Sequence, residues 1–90
     1  MNFLKEQTIL VIDDQKLIRQ MIEQILTGFG PIYEAENGKD GIEKAIKLKP
    51  DLIILDVTME GMDGFETCEI LKSKEETADI PVVFLTGRDN

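Results

Sequence analysis

Four short apolar runs alternate along the chain with three longer segments in which apolar residues recur every three or four positions. Thr8 to Ile12 is continuously apolar, the pattern of a strand covered on both faces of a sheet. Leu17, Ile18, Met21, Ile22, Ile25 and Leu26 then mark one face of a helix. Gly28 and Gly30 stop it, since glycine readily takes the left-handed conformation at a helix end. Pro31 to Ala35 predicts a more polar strand suited to a sheet edge. Asn37-Gly38 is a turn signal, and Ile42, Ala45, Ile46 and Leu48 line a second, lysine-rich helix that closes before Pro50. Leu52 to Leu55 is the next buried-type strand, followed by a loop containing Gly61 and by Asp63-Gly64 as a turn and helix start. A third helix carries Phe65, Cys68 and Leu71 at three-residue spacing, Ser73 to Asp79 is a polar connection, and Ile80 to Leu85 is a fourth strand. Pro81 sits near that strand's start, where a missing donor is tolerated.

This alternation predicts an α/β fold, a parallel sheet with helices on both faces joined by right-handed crossovers. Two of the strands end in acid. Ile9-Leu10-Val11-Ile12 runs into Asp13-Asp14, and Leu52-Ile53-Ile54-Leu55 runs into Asp56. Ligands of such sheets bind outside the carboxyl ends of the strands, where the strand order reverses. If the two strands are neighbours there, Asp13, Asp14 and Asp56 converge on one pocket. Three carboxylates that close repel, and one stays protonated unless a cation sits among them. The structural alternative for Asp13-Asp14 is capping of the first helix, which a single Asp would satisfy.

Length and composition narrow the chemistry. At 90 residues the chain is one domain at most. Its 18 acidic against 10 basic residues give a net charge of −8, which argues against nucleic acid and anionic membranes as direct partners. The apolar runs are far too short to span a bilayer, and the N-terminus has no signal-peptide core. Cys68 is the single cysteine, excluding an internal disulfide; it fits core packing and a reducing, cytoplasmic home. With no histidine and no cysteine pair, zinc is disfavoured, and oxygen ligands point to Mg²⁺, Mn²⁺ or Ca²⁺. Mg²⁺ fits best because it accepts one or two carboxylates and keeps its waters. A carboxylate can act as a covalent nucleophile toward a phosphoryl group, a transfer that depends on positioning and charge neutralisation. Thr86, at the end of the fourth strand, can donate its hydroxyl to a phosphoryl oxygen, and Gly87 beside it leaves room.

Val11-Ile12-Asp13-Asp14, Leu55-Asp56-Val57-Thr58-Met59, Gly61-Met62-Asp63-Gly64 and Leu85-Thr86-Gly87 together resemble the receiver domain of two-component response regulators, of the chemotaxis-regulator type. The resemblance runs from about Thr8 to Gly87. It implies a flavodoxin-like doubly wound sheet with strand order 2-1-3-4. It also implies that Asp56 accepts a phosphoryl group from phosphohistidine on a sensor histidine kinase or histidine phosphotransfer protein. Asp14 would bind Mg²⁺ directly, Asp13 mainly through water, and Thr58 through its backbone carbonyl, while Asp56 completes the metal site. Thr86 would be the switch hydroxyl, and Thr58 and Arg88 would tune dephosphorylation.

Two departures qualify the transfer. Glu60 stands where the family usually has proline, which loosens the loop and adds negative charge to an acidic mouth. The family's fifth strand, its lysine and its last two helices are absent, and Lys72 and Lys74 lie on the wrong side of the fourth strand to replace that lysine. The expectation for residues 1–90 is therefore a single receiver domain, C-terminally incomplete, that phosphorylates poorly and associates with itself through its exposed fourth strand. It is not expected to be a turnover enzyme. Haloacid-dehalogenase-type phosphatases also use a strand-end Asp with Mg²⁺, but they need a second Asp where this chain has Thr58. The remaining alternative is an interaction module of receiver shape that is never phosphorylated.

Overall fold

The computed structural model describes residues 7–85. Seven elements follow in chain order: β1 (Ile9–Ile12), α1 (Lys16–Ile25), β2 (Ile32–Ala35), α2 (Gly38–Leu48), β3 (Leu52–Asp56), α3 (Gly64–Ser73) and β4 (Val82–Leu85). The strands form one parallel sheet in the order β2-β1-β3-β4. This is the flavodoxin-like receiver architecture without its fifth strand and last helices, as the alternation and the resemblance predict. The polar β2 takes an edge, and the two most buried strands, β1 and β3, take the centre.

Side-chain alternation along the strands divides the core into two unequal layers. Leu10, Ile12, Ile53 and Leu55 face α2 and α3, where they meet Ala35, Ile42, Ala45, Met59, Leu71 and Ile80. Each fully buried aliphatic there contributes roughly 1.5–3 kcal/mol of transfer free energy. The opposite face holds Ile9, Val11 and Ile54, covered in part by Ile22 and Leu26 of α1. That second layer is thin. Among the described residues, α1 has no buried residue, and Leu17, Met21 and Ile25 are 66%, 49% and 72% exposed. The expected apolar face of α1 therefore exists, but only its Ile22–Leu26 edge is covered. No helix among the described residues is long and apolar enough to cross a membrane.

Other local expectations are corrected. Asn37-Gly38 is not a free turn: Asn37 caps α2, its side chain accepting the Asp40 N–H at 2.8 Å. Phe65, the first of the three spaced apolar residues of α3, is 60% exposed, and its ring lies against that of Phe84 at 5.1 Å between centroids. The polar connection after α3 hides a buried residue, Thr77, whose hydroxyl donates to the Leu71 carbonyl at 2.6 Å. The fourth strand starts at Val82, two residues later than the apolar run. Cys68 does pack against the larger core layer.

Asp63 and Glu66 form a reciprocal capping box at the start of α3. Gly64 sits directly beneath the end of β3, its N–H donating to the Val57 carbonyl at 2.9 Å. A Cβ on Gly64 would lie 2.1 Å from the Asp56 carbonyl oxygen and 2.8 Å from the Val57 Cα, both backbone atoms that cannot turn away. Gly64→Ala is expected to cost about 1–3 kcal/mol of stability, the usual range for overpacking. A urea denaturation midpoint equal to wild type would show that the helix start can slide away without loss.

Candidate functional site

The register of the two central strands builds the site. Ile12 lies opposite Leu55, so the next residue of each strand path is Asp13 and Asp56. Both emerge at the carboxyl edge of the sheet, where β2 and β3 flank β1 and the strand order reverses. Asp14 follows at once. Carboxylate oxygens of Asp13, Asp14 and Asp56 all lie within 4.8 Å of one another, with Asp13 and Asp56 buried and Asp14 exposed. The convergence expected from the sequence is therefore present.

Each carboxylate is aimed by backbone amides of the loops that follow the strands. Gln15 donates its N–H to Asp13 Oδ1 at 2.8 Å. Thr58 donates to Asp56 Oδ1 and Glu60 to Asp14 Oδ2, each at a longer 3.4 Å. The Glu60 contact ties the β3–α3 loop to Asp14, and a proline at that position has no N–H to make it. Neither Asp13 nor Asp14 caps α1: the N-cap is Gln15, and no side chain caps that end. The structural alternative for the acidic pair thus loses its basis.

Asp13 carries the electrostatic tension of the site. Burial pushes its carboxyl above the ordinary carboxylate range, and the charges of Asp56 and Asp14 push the same way; the Gln15 N–H and the Arg19 guanidinium pull it down. Oxygen-only donors this close, with one acid reluctant to ionise, suit a small hard cation, and the cluster resembles the Mg²⁺ pocket of receiver domains. On its α1 side the pocket continues into a cavity of about 390 Å³ lined by Ile18, Met21, Ile22, Ile25 and Leu85 besides the acids.

The remaining expected residues fall in three places. Thr58 is exposed, beside Asp56 through its N–H. Thr86 and Arg88 lie outside the described residues; Leu85, which precedes Thr86, pairs in register with Asp56. Lys72 is far from the acids in role as well as sequence, its ammonium holding the carbonyls of Ala78 and Ile80 at 3.1 and 2.6 Å. Sequence reasoning missed Arg19. Its guanidinium donates to the Asp13 carbonyl and to Glu34 Oε1, each at 2.7 Å. No periodicity marks it; its only signal is a charged residue at the margin of the apolar helical face, next to Ile22 and Leu26 on the helix surface.

The raised Asp13 value has a consequence for stability. In metal-free protein the folded state holds the Asp13 proton more tightly than the unfolded chain does. Asp13 thus destabilises the fold above its raised folded-state value, and that cost disappears as pH falls through the ordinary carboxylate range. Asp13→Asn in chelator-treated protein is expected to raise the thermal midpoint at neutral pH, with the gain shrinking toward zero in acid. A gain independent of pH, or a loss at neutral pH, in a thermal denaturation series would contradict it.

Comparison with known proteins agrees with this geometry. The response regulator receiver domain family matches residues 9–90. A protein-glutamate methylesterase/protein-glutamine glutaminase from Archaeoglobus fulgidus is 42% identical over 81 residues, covering 88% of this chain and 22% of its own. Protein PilH of Pseudomonas aeruginosa is 35% identical over 82 residues, covering 90% of this chain and 68% of its own. This chain thus spans about a fifth of the first relative and two thirds of the second. Among solved structures, the N-terminal domain of a response regulator receiver protein from Methanoculleus marisnigri superposes with a TM-score of 0.88 at 38% identity, over 96% of this chain and 71% of that one. Chemotaxis protein CheY4 of Vibrio cholerae superposes at 0.87 with 29% identity, over 96% and 72%. The chain belongs to the response regulator receiver domain family, a signalling module rather than a turnover enzyme.

Proposed function

We propose that the chain is a phosphoacceptor of a two-component phosphorelay, with Asp56 taking a phosphoryl group from phosphohistidine on a sensor histidine kinase or histidine phosphotransfer protein. The observation that carries this reading is the convergence of Asp13, Asp14 and Asp56 at the carboxyl edge of the sheet. A carboxylate oxygen of Asp56 forms the new O–P bond as the P–N bond breaks, and the departing imidazole takes the electron pair. Asp13, Asp14, Asp56 and the Thr58 carbonyl would hold Mg²⁺, which neutralises the phosphoryl oxygens. Thr86 supplies the switch hydroxyl, and Thr58 and Arg88 tune hydrolysis of the acyl phosphate. The acidic surface and the single cysteine support a cytoplasmic domain that leaves nucleic acid to other parts of its pathway.

Incubation with Mg²⁺ and excess acetyl phosphate is expected to add one phosphoryl group to wild type and none to Asp56→Asn, read by intact-protein mass spectrometry. No addition to wild type, or an equal addition to the variant, overturns the assignment.

The open α1–β4 side favours a second reading, an interaction module that keeps the receiver shape without phosphorylation. Leu17, Met21 and Ile25 are exposed around the apolar cavity, and β4 presents a strand edge with Val83 51% exposed. This reading predicts no Mg²⁺-dependent shift in the NMR signals of Asp13, Asp14 and Asp56. Under both readings the face drives self-association. Sedimentation velocity is expected to show a concentration-dependent shift to larger species, weakened by Met21→Glu; a monomer at every concentration contradicts it.

A further inference from the structure

Arg19 touches none of the three carboxylates' oxygens, yet it is among the most constrained side chains near them. It is 12% exposed, and its two 2.7 Å bonds reach different strands: Nη1 to the carbonyl of Asp13 beyond β1, Nε to Glu34 on β2. Glu34 is itself held from behind, because Lys44 of α2 donates to the Glu34 carbonyl while pairing with Asp40 at 3.3 Å. The Asp13 backbone is thereby gripped on both sides, its N–H by the Ala35 carbonyl at 3.0 Å and its carbonyl by Arg19. The Gln15 N–H on Oδ1 adds a tie to the Asp13 carboxylate itself.

Two features make this more than surface pairing. First, α1 buries no residue, so its apolar packing is a weak constraint on the β1–α1 loop. Second, the Arg19 charge is balanced by Glu34, so it holds Asp13 by the main chain and leaves the carboxylate available. Arginine's planar fork offers donors in two fixed directions, which a lysine ammonium at the same place cannot reproduce.

We infer that Arg19 is a positioning residue, which, anchored on Glu34, preorganises the Asp13-Asp14 pair for a divalent cation and so for the incoming phosphoryl group. This rests on the phosphoacceptor reading. Such supporting contacts are typically worth about 10–100-fold in metal affinity. Mg²⁺ titrations of the chain, followed by the NMR signals of Asp13, Asp14 and Asp56, test it. Arg19→Met and Arg19→Lys are each expected to weaken Mg²⁺ by about ten-fold or more, whereas Glu34→Gln, which keeps an acceptor for Nε, stays near wild type. A long-range charge effect gives the opposite sign, since removing a cation beside the pocket would tighten Mg²⁺. Unchanged or tighter binding in Arg19→Met therefore overturns the inference, as does full retention in Arg19→Lys. Should Arg19→Met fail to fold, the lysine variant decides alone. If wild type itself binds no Mg²⁺, the phosphoacceptor reading fails and this inference with it, an outcome distinct from a variant that binds normally.

Discussion

The parallel register between β1 and β3 is the constraint on which everything else rests. Because Ile12 sits opposite Leu55, two strands that each end in acid deliver those acids side by side. A slip of one residue would turn the apolar side chains of one strand to the other face and separate the carboxylates at the same time. The register is secured by residues with no chemistry of their own: Leu10, Val11, Ile12, Ile53 and Leu55 are all fully buried. Packing energy at the sheet centre thus holds like charges within 4.8 Å, an arrangement that loop residues alone would relax by moving apart. The opposition between those two forces is felt at Asp13, whose carboxyl is raised above the ordinary range by burial and by its acidic neighbours.

How much of this was legible before folding depends on the range of the interaction. Strands and helices came out of the sequence in number, order and near-correct extent because their signals are local: apolar runs, three- and four-residue spacing, Gly28, Gly30 and Pro50. The acids were legible because each directly follows such a run. Arg19, Gly64 and Thr77 were not, since their roles arise from partners that the fold brings in: a carboxylate on the neighbouring strand β2, a backbone lying 2.1 Å from an added Cβ, a hidden carbonyl of α3. The exposure of α1 and of Phe65 escaped the sequence for one reason. Helical periodicity reports that a face is apolar and cannot report what covers it.

That distinction bears on how the two halves of the molecule divide their work. The α2–α3 side is the load on which the sheet is built, with Ala45 and Leu71 fully buried and Gly41 so close to Ile12 that a Cβ would lie 2.4 Å from its Cδ1. The α1 side is held more by polar contacts than by packing: Arg19 to Glu34 and Asp13, together with the Ile22–Leu26 edge. Polar ties of this kind are directional and individually modest, so they define geometry more than they supply stability.

The site lies at the seam between these halves. Asp56 belongs to the well-packed strand β3, whereas Asp13 and Asp14 lead into the loosely covered α1. The cavity that starts at Asp13 and Asp56 runs along α1 to Ile25, so whatever fills or covers that groove also presses on the helix whose first turn follows the acidic pair. A carboxylate on a well-packed strand thus stands beside two carried by a segment with little apolar cover. Arg19 joins groove and pocket: it projects from α1, and its Nη1 donates to the Asp13 carbonyl at 2.7 Å.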